Sequence, residues 1–123
     1  MVKLEPGRLA ILSLPGPAEG GIAGVDVTRL RKALAGLKPR KVGAHGTGAT
    51  ILARRLVGDL FPTLDFTFAA DRAAFNAAER GLDVLLLVAR DRLSEVMQSF
   101  ERLNAATLRR VPVTLLEAPE RNG

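Results

Sequence analysis

The stretch Asp83-Val84-Leu85-Leu86-Leu87-Val88-Ala89 has no polar side chain after its first residue. A run this short cannot cross a bilayer, and an apolar segment of strand length bounded by turn residues reads as a buried strand. Apolar throughout, it has both faces covered, which is the condition of a central strand in a parallel sheet. That requirement sets the layering of the whole chain, because something apolar must lie on each side.

Other segments supply the layers. Leu9-Ala10-Ile11-Leu12-Ser13-Leu14, stopped by Pro15-Gly16-Pro17, reads as a first strand. Lys41 to Ala44 is a brief second strand, Leu64 to Phe68 alternates as a third, and Val111 to Leu116 is a last one. The proline at 112 suits a strand start or an edge. Between them lie helical patterns: Val27 to Leu37 capped by Asp26, Thr50 to Leu60, Arg72 to Glu79 capped by Asp71 and closed by Gly81, and a helix opened by Asp91 or Ser94. The order βαβαβαβαβ predicts a single-domain α/β three-layer sandwich. Its sheet has five mostly parallel strands with Rossmann-like alternation and right-handed crossovers. Residues 1–118 form the domain and 119–123 a flexible tail. A chain of 123 residues buries enough surface to need no staple.

In such sheets ligands bind beyond the carboxyl ends of the strands. That rim gathers Pro15 to Val25, His45 to Ala49, Ala69 to Arg72, Arg90 to Arg92 and Glu117 onward. The strongest signal there is His45-Gly46-Thr47-Gly48-Ala49-Thr50. Glycines at 43, 46 and 48 let the backbone turn and approach a ligand, and a helix start aims free amides at it. Gly46, Thr47, Gly48, Ala49 and Thr50 are therefore the phosphate-binding candidates, with hydroxyls from both threonines. Inorganic phosphate or a phosphorylated small molecule is the expected partner, and no cofactor is called for. The competing reading is a structural turn in an interaction or regulatory subunit. The spacing from Gly43 to Thr50 also fits a P-loop, except that Ala49 stands where the charge-bearing lysine belongs. That makes the segment at most a degenerate nucleotide binder.

His45, the sole histidine, is a candidate acid, base or phosphate contact. Asp71 is a candidate base as well as a helix cap, and Arg90 a candidate anion contact. A lone histidine and no cysteine leave no ligand set for a metal. The net charge of +5 fits an anionic partner. However, the basic residues are spread over every predicted helix, and there is no Trp or Tyr to stack on a base, which argues against nucleic acid. The amino terminus lacks the order of a signal peptide, so a cytoplasmic protein off the membrane is expected. An apolar face on an edge helix could serve a homo-oligomer, which sequence does not separate from core.

Several pieces together resemble the methylglyoxal-synthase-like domain. Ala44 to Leu52 resembles that family's phosphate loop, Phe68-Ala69-Ala70-Asp71-Arg72 its Gly-Gly-Asp-Gln segment, and Gly81 to Leu86 with Arg90-Asp91 its buried strand and Arg-Asp end. The resemblance implies phosphate binding at 46–50. In its catalytic form it implies elimination of phosphate from a triose phosphate, with Asp71 as the base. The first strand departs from the family. Leu14-Pro15-Gly16-Pro17 stands where Ala-His-Asp and lysines would be, and the Pro-His beyond the Arg-Asp pair has no counterpart. The expected function is therefore a phosphate- or anion-binding domain that is non-catalytic or altered in activity, with a phosphate-releasing lyase as an alternative.

Overall fold

The structure, a computed structural model, describes residues 6–16, 21–60 and 71–121. Four strands, β1 (Leu9–Leu14), β2 (Lys41–His45), β3 (Val84–Ala89) and β4 (Val113–Glu117), form one sheet in the order β2-β3-β1-β4. Every pairing is parallel. The helices are α1 (Val27–Leu34), α2 (Thr47–Leu60), α3 (Asp71–Glu79) and α4 (Leu93–Ala105). Short 3-10 turns occupy Gly21–Gly24 and Arg90–Arg92.

The expected five-stranded, mostly parallel sheet is thus corrected to four strands, all parallel. The expected third strand, Leu64–Phe68, lies outside the described residues. Its alternation with Asp65 and Thr67 is the mark of a strand with one wet face. The strands that pair here are sandwiched between two helical layers, where alternation carries less weight than continuous apolar runs. β3, the most apolar run, lies between β2 and β1, as a strand covered on both faces should.

Alternate residues of each strand feed two cores. Leu12, Leu14, Val42, Ala44, Leu85 and Leu87 pack with Leu30 and Leu34 of α1 and Leu52 and Leu56 of α2. Leu9, Ile11, Leu86 and Val88 pack with Phe75 of α3 and with Val96 and Phe100 of α4. Phe75 and Phe100 stack with ring centroids 6.5 Å apart. The β1-to-β2 crossover passes over the α1/α2 face in one direction. The β3-to-β4 crossover passes over the other face in the opposite direction, so the two have the same hand.

Local signals set most boundaries. The Asp26 carboxylate accepts from the Arg29 amide at 3.1 Å, capping α1 as expected. α1 ends at Leu34, three residues before Leu37, because Gly36 disfavours helix continuation. α3 closes with Gly81 at φ +100, its amide bonded to Ala78 and that of Leu82 to Ala77, a Schellman ending. α4 starts at Leu93, after the Arg90–Arg92 turn. Beyond β4, Val25 and Glu120 form an antiparallel bridge. Asp26 bonds Pro119 and Arg121 bonds Gly24. No helix among the described residues is long and apolar enough to cross a membrane.

Candidate functional site

The loops after β1 and β2 leave toward the α1/α2 face, whereas the chain after β3 turns to α4 on the opposite face. Neighbouring strands whose loops part to opposite faces leave a crevice between them. A cleft of about 240 Å³ lies there, at the carboxyl end of β1 and β3. Leu14 and Pro15 come from the end of β1, and Gly21 and Ile22 from the turn that follows. Gly46, Gly48 and Ala49 come from the β2–α2 junction, and Ala89, Asp91 and Arg92 from the end of β3.

The junction is tighter than its composition suggests. β2 runs through His45 and α2 begins at Thr47, so Gly46 alone turns the chain, at φ +101. An L-residue would be strained there. The first helical bond runs from the Thr50 amide to the Gly46 carbonyl at 2.9 Å. The amides of residues 46–49 therefore have no partner within the helix, and the helix dipole adds partial positive charge beside them. The helix starts three residues earlier than the sequence suggests, because the strand extends to the glycine and leaves no separate loop. Gly43 and Ala44 are strand, and a one-residue connection cannot wrap a nucleotide's phosphates. The P-loop spacing thus has no P-loop geometry.

Each candidate residue can now be placed. Gly46, Gly48 and Ala49 line the cleft. Thr47 opens α2, and its side chain lies outside the described residues. The Thr50 hydroxyl donates to the Gly46 carbonyl at 2.8 Å, so its proton is used within the helix turn. His45 Nε2 lies 2.8 Å from Asp71 Oδ1, and both side chains are partly buried. This pair lies on the other side of the sheet from α2. Val42 and Ala44 face α1 and α2, so His45, one residue further, faces α3. Neither His45 nor Asp71 lines the cleft. Arg90 Nη2 bonds Glu117 at 3.3 Å and Glu120 at 3.0 Å, so its charge is met by two carboxylates.

A serine shares the row of His45. Ser13 and His45 both pair with Val88, on opposite sides, so they stand two strands, or about 10 Å, apart. Ser13 has no exposed surface, and among the described residues its hydroxyl has no hydrogen-bond partner. A Ser-His-Asp relay is therefore excluded by distance and access. Among the described residues no group of three or more His, Asp or Glu is placed to hold a metal ion.

Asp91 and Arg92 are the charged residues of the cleft; the sequence placed both at this rim, with Asp91 at a helix start, but named neither as the anion contact. Arg90 stood out instead, as the first cation after β3. The signal for its neighbours was their position just past the carboxyl end of the most apolar strand. Arg92 has no ion-pair partner recorded among the described residues, and Asp91 Oδ1 faces Gly16.

A family model described as Domain of unknown function (DUF7839) matches residues 3–106. The chain belongs to this family. The matched stretch contains every residue that lines the cleft, together with His45 and Asp71. No curated protein and no solved structure matches the chain.

Proposed function

We propose that this small α/β domain binds a compact phosphorylated molecule in the cleft at the carboxyl ends of β1 and β3. The observation that carries the reading is that α2 starts directly after Gly46 and that Gly46, Gly48 and Ala49, whose amides have no partner within the helix, line that cleft. Arg92 supplies a full positive charge to the same cleft from the end of β3. At about 240 Å³ the cleft is smaller than the pockets that take drug-sized ligands, so a phosphate ester of a few carbons suits it better than a nucleotide.

Asp91 refines the ligand. A carboxylate in the lining repels a bare dianion but accepts a hydrogen bond from a hydroxyl. The phosphate is held by the α2 amides and Arg92, and a neighbouring hydroxyl by Asp91. The methylglyoxal-synthase-like reading is kept for phosphate binding and not for lyase chemistry. The Asp71 carboxylate is bonded to His45 away from the cleft, so no base faces the ligand from that position.

Calorimetric titration with glycerol phosphate, inorganic phosphate and glycerol tests this. The ester should bind more tightly than phosphate, and glycerol not at all. Arg92→Ala should weaken the ester about 10-fold or more, the worth of a charged hydrogen bond. Asp91→Asn should erase the preference for the ester over phosphate. No heat and no rise in melting temperature with millimolar ester would overturn the proposal.

A further inference from the structure

All strands are parallel, so every strand starts at one rim and every helix that packs on them runs back to that rim. The segments leading into the strands there are residues 6–8, 35–40, 80–83 and 106–112. They carry Arg8, Lys38, Arg40, Arg80, Arg109 and Arg110 against a single carboxylate, Asp83, and Lys41 follows as the first residue of β2. Asp83 is itself partly neutralised, since its Oδ1 accepts the Arg8 amide at 2.9 Å. Arg8, Lys38, Arg40, Arg80 and Arg110 are exposed. The described connections at the opposite rim hold three cations and three carboxylates. The excess that gives the chain its net charge of +5 is thus gathered at one end.

From this juxtaposition we infer that the amino-end rim of the sheet is a docking surface for the phosphate backbone of duplex DNA. The four strand starts form a row about 14 Å long. A DNA duplex carries about eight phosphate charges over that length. Arginine predominates, and its guanidinium fork meets two phosphate oxygens at once. Among the described residues the rim has no aromatic side chain, so it grips backbone and does not stack on unpaired bases. The four described connections contain no Ser, Asn or Gln to meet a 2′-hydroxyl, and Thr107 is bonded to Glu79, so nothing in these connections selects RNA.

Shape separates this partner from an anionic bilayer. Grooves flank the rim on both faces of the sheet. One, bordered by Arg8, Lys38 and Leu116, is about 470 Å³, and the other, bordered by Arg80 and Arg109, is about 810 Å³. A plane of lipid touches only the tips of such a surface, whereas a duplex presents ridges of phosphate. Among the described residues of this rim, fully exposed Leu108 and the less exposed Leu37 are the large apolar side chains offered to a membrane.

Anisotropy with a labelled DNA duplex of about 20 base pairs tests the inference, using the whole protein. One phosphate neutralised at each strand start gives a log–log salt slope of about −3.5, or roughly 100-fold weaker binding between about 50 and 200 mM salt. The double reversal Lys38→Glu/Arg40→Glu should weaken binding at least 30-fold. Arg29→Glu/Arg121→Glu, the same change of charge at the opposite rim, should weaken it less than 3-fold. Circular dichroism establishes that both variants fold, and Arg110→Glu serves as a second rim variant if the first does not. Equal losses from both rims, no binding at low salt, or tenfold tighter binding to an RNA duplex overturns the inference. So does a preference for phosphatidylserine vesicles that Leu108→Ser abolishes.

Discussion

The two ends of the sheet are built from the same strands and differ in almost every physical respect. At the amino end the backbone is close-packed. A Cβ on Gly7 would lie 2.1 Å from the Leu82 carbonyl oxygen, and the Gly7 amide bonds the Ala78 carbonyl at 2.6 Å. At the carboxyl end the chains part to opposite faces and leave the cleft between them. The first end is basic, while the second is balanced in charge. Helix polarity gives the contrast a cause. Helices returning over a parallel sheet point their carbonyl ends at the strand starts, where lysine and arginine are stabilised by about 0.3–1 kcal/mol each. Their amide ends collect at the strand ends, where anions are favoured. One parallel topology therefore yields a rim that attracts polyanions through side chains and a rim that can hold a single anion through backbone.

The contrast breaks first at Gly7. Gly7→Ala places a methyl group against backbone that has no rotamer to yield, so either the 6–8 segment or the turn at Leu82 must move. The expected loss is about 4 kcal/mol of unfolding free energy, read by urea denaturation at constant m-value. A loss under about 1 kcal/mol would mean that the amino rim yields as readily as the other.

At the carboxyl rim the largest single loss expected from a local contact is smaller. Asp26→Ala removes the side chain that caps α1 at 3.1 Å from the Arg29 amide. About 1 kcal/mol should be lost. Asp26→Asn should restore most of it, because the capping acceptor is retained. Failure of Asn to rescue would assign the effect to charge and not to capping.

How much of this was legible in the sequence follows from the range of the forces involved. β1 and β3 were readable from local apolar runs, the start of α1 from Asp26 and the end of α3 from Gly81, because caps and burial act within a few residues, whereas α3 begins on Asp71 itself, one residue before the expected start, and the Asp71 carboxylate meets His45. The strand count was not readable, because alternation in Leu64 to Phe68 says which side chains share a face and nothing about which strand pairs with which. The start of α2 was misplaced because three glycines read as loop, although Gly46 alone makes the turn. His45 and Asp71 were picked separately, and the structure joins them at 2.8 Å. That contact spans β2 and α3, and no local pattern encodes it. The basic rim was hidden for the same reason. Its cations are scattered along the chain and become neighbours only when parallel strands bring four separate connections to one end.

The finest test repeats the alanine substitution at the other rim. A Cβ on Gly48 would meet the branch methyl Cγ2 of half-buried Ile22 at 3.3 Å, a close contact relieved by a shift of a few tenths of an ångström. Against that small cost, alanine is the better helix former by up to about 1 kcal/mol, and Gly48 lies in the first turn of α2. The two terms nearly cancel, so Gly48→Ala should change stability by no more than about 0.5 kcal/mol in either direction. The added methyl group does project beside the amides that open onto the cleft. Binding of glycerol phosphate should therefore weaken severalfold while the urea midpoint stays in place. Unchanged affinity with an unchanged midpoint would show that the α2 amides are not what the ligand touches. A large fall in stability would show that the carboxyl rim is as tightly built as the end that holds Gly7.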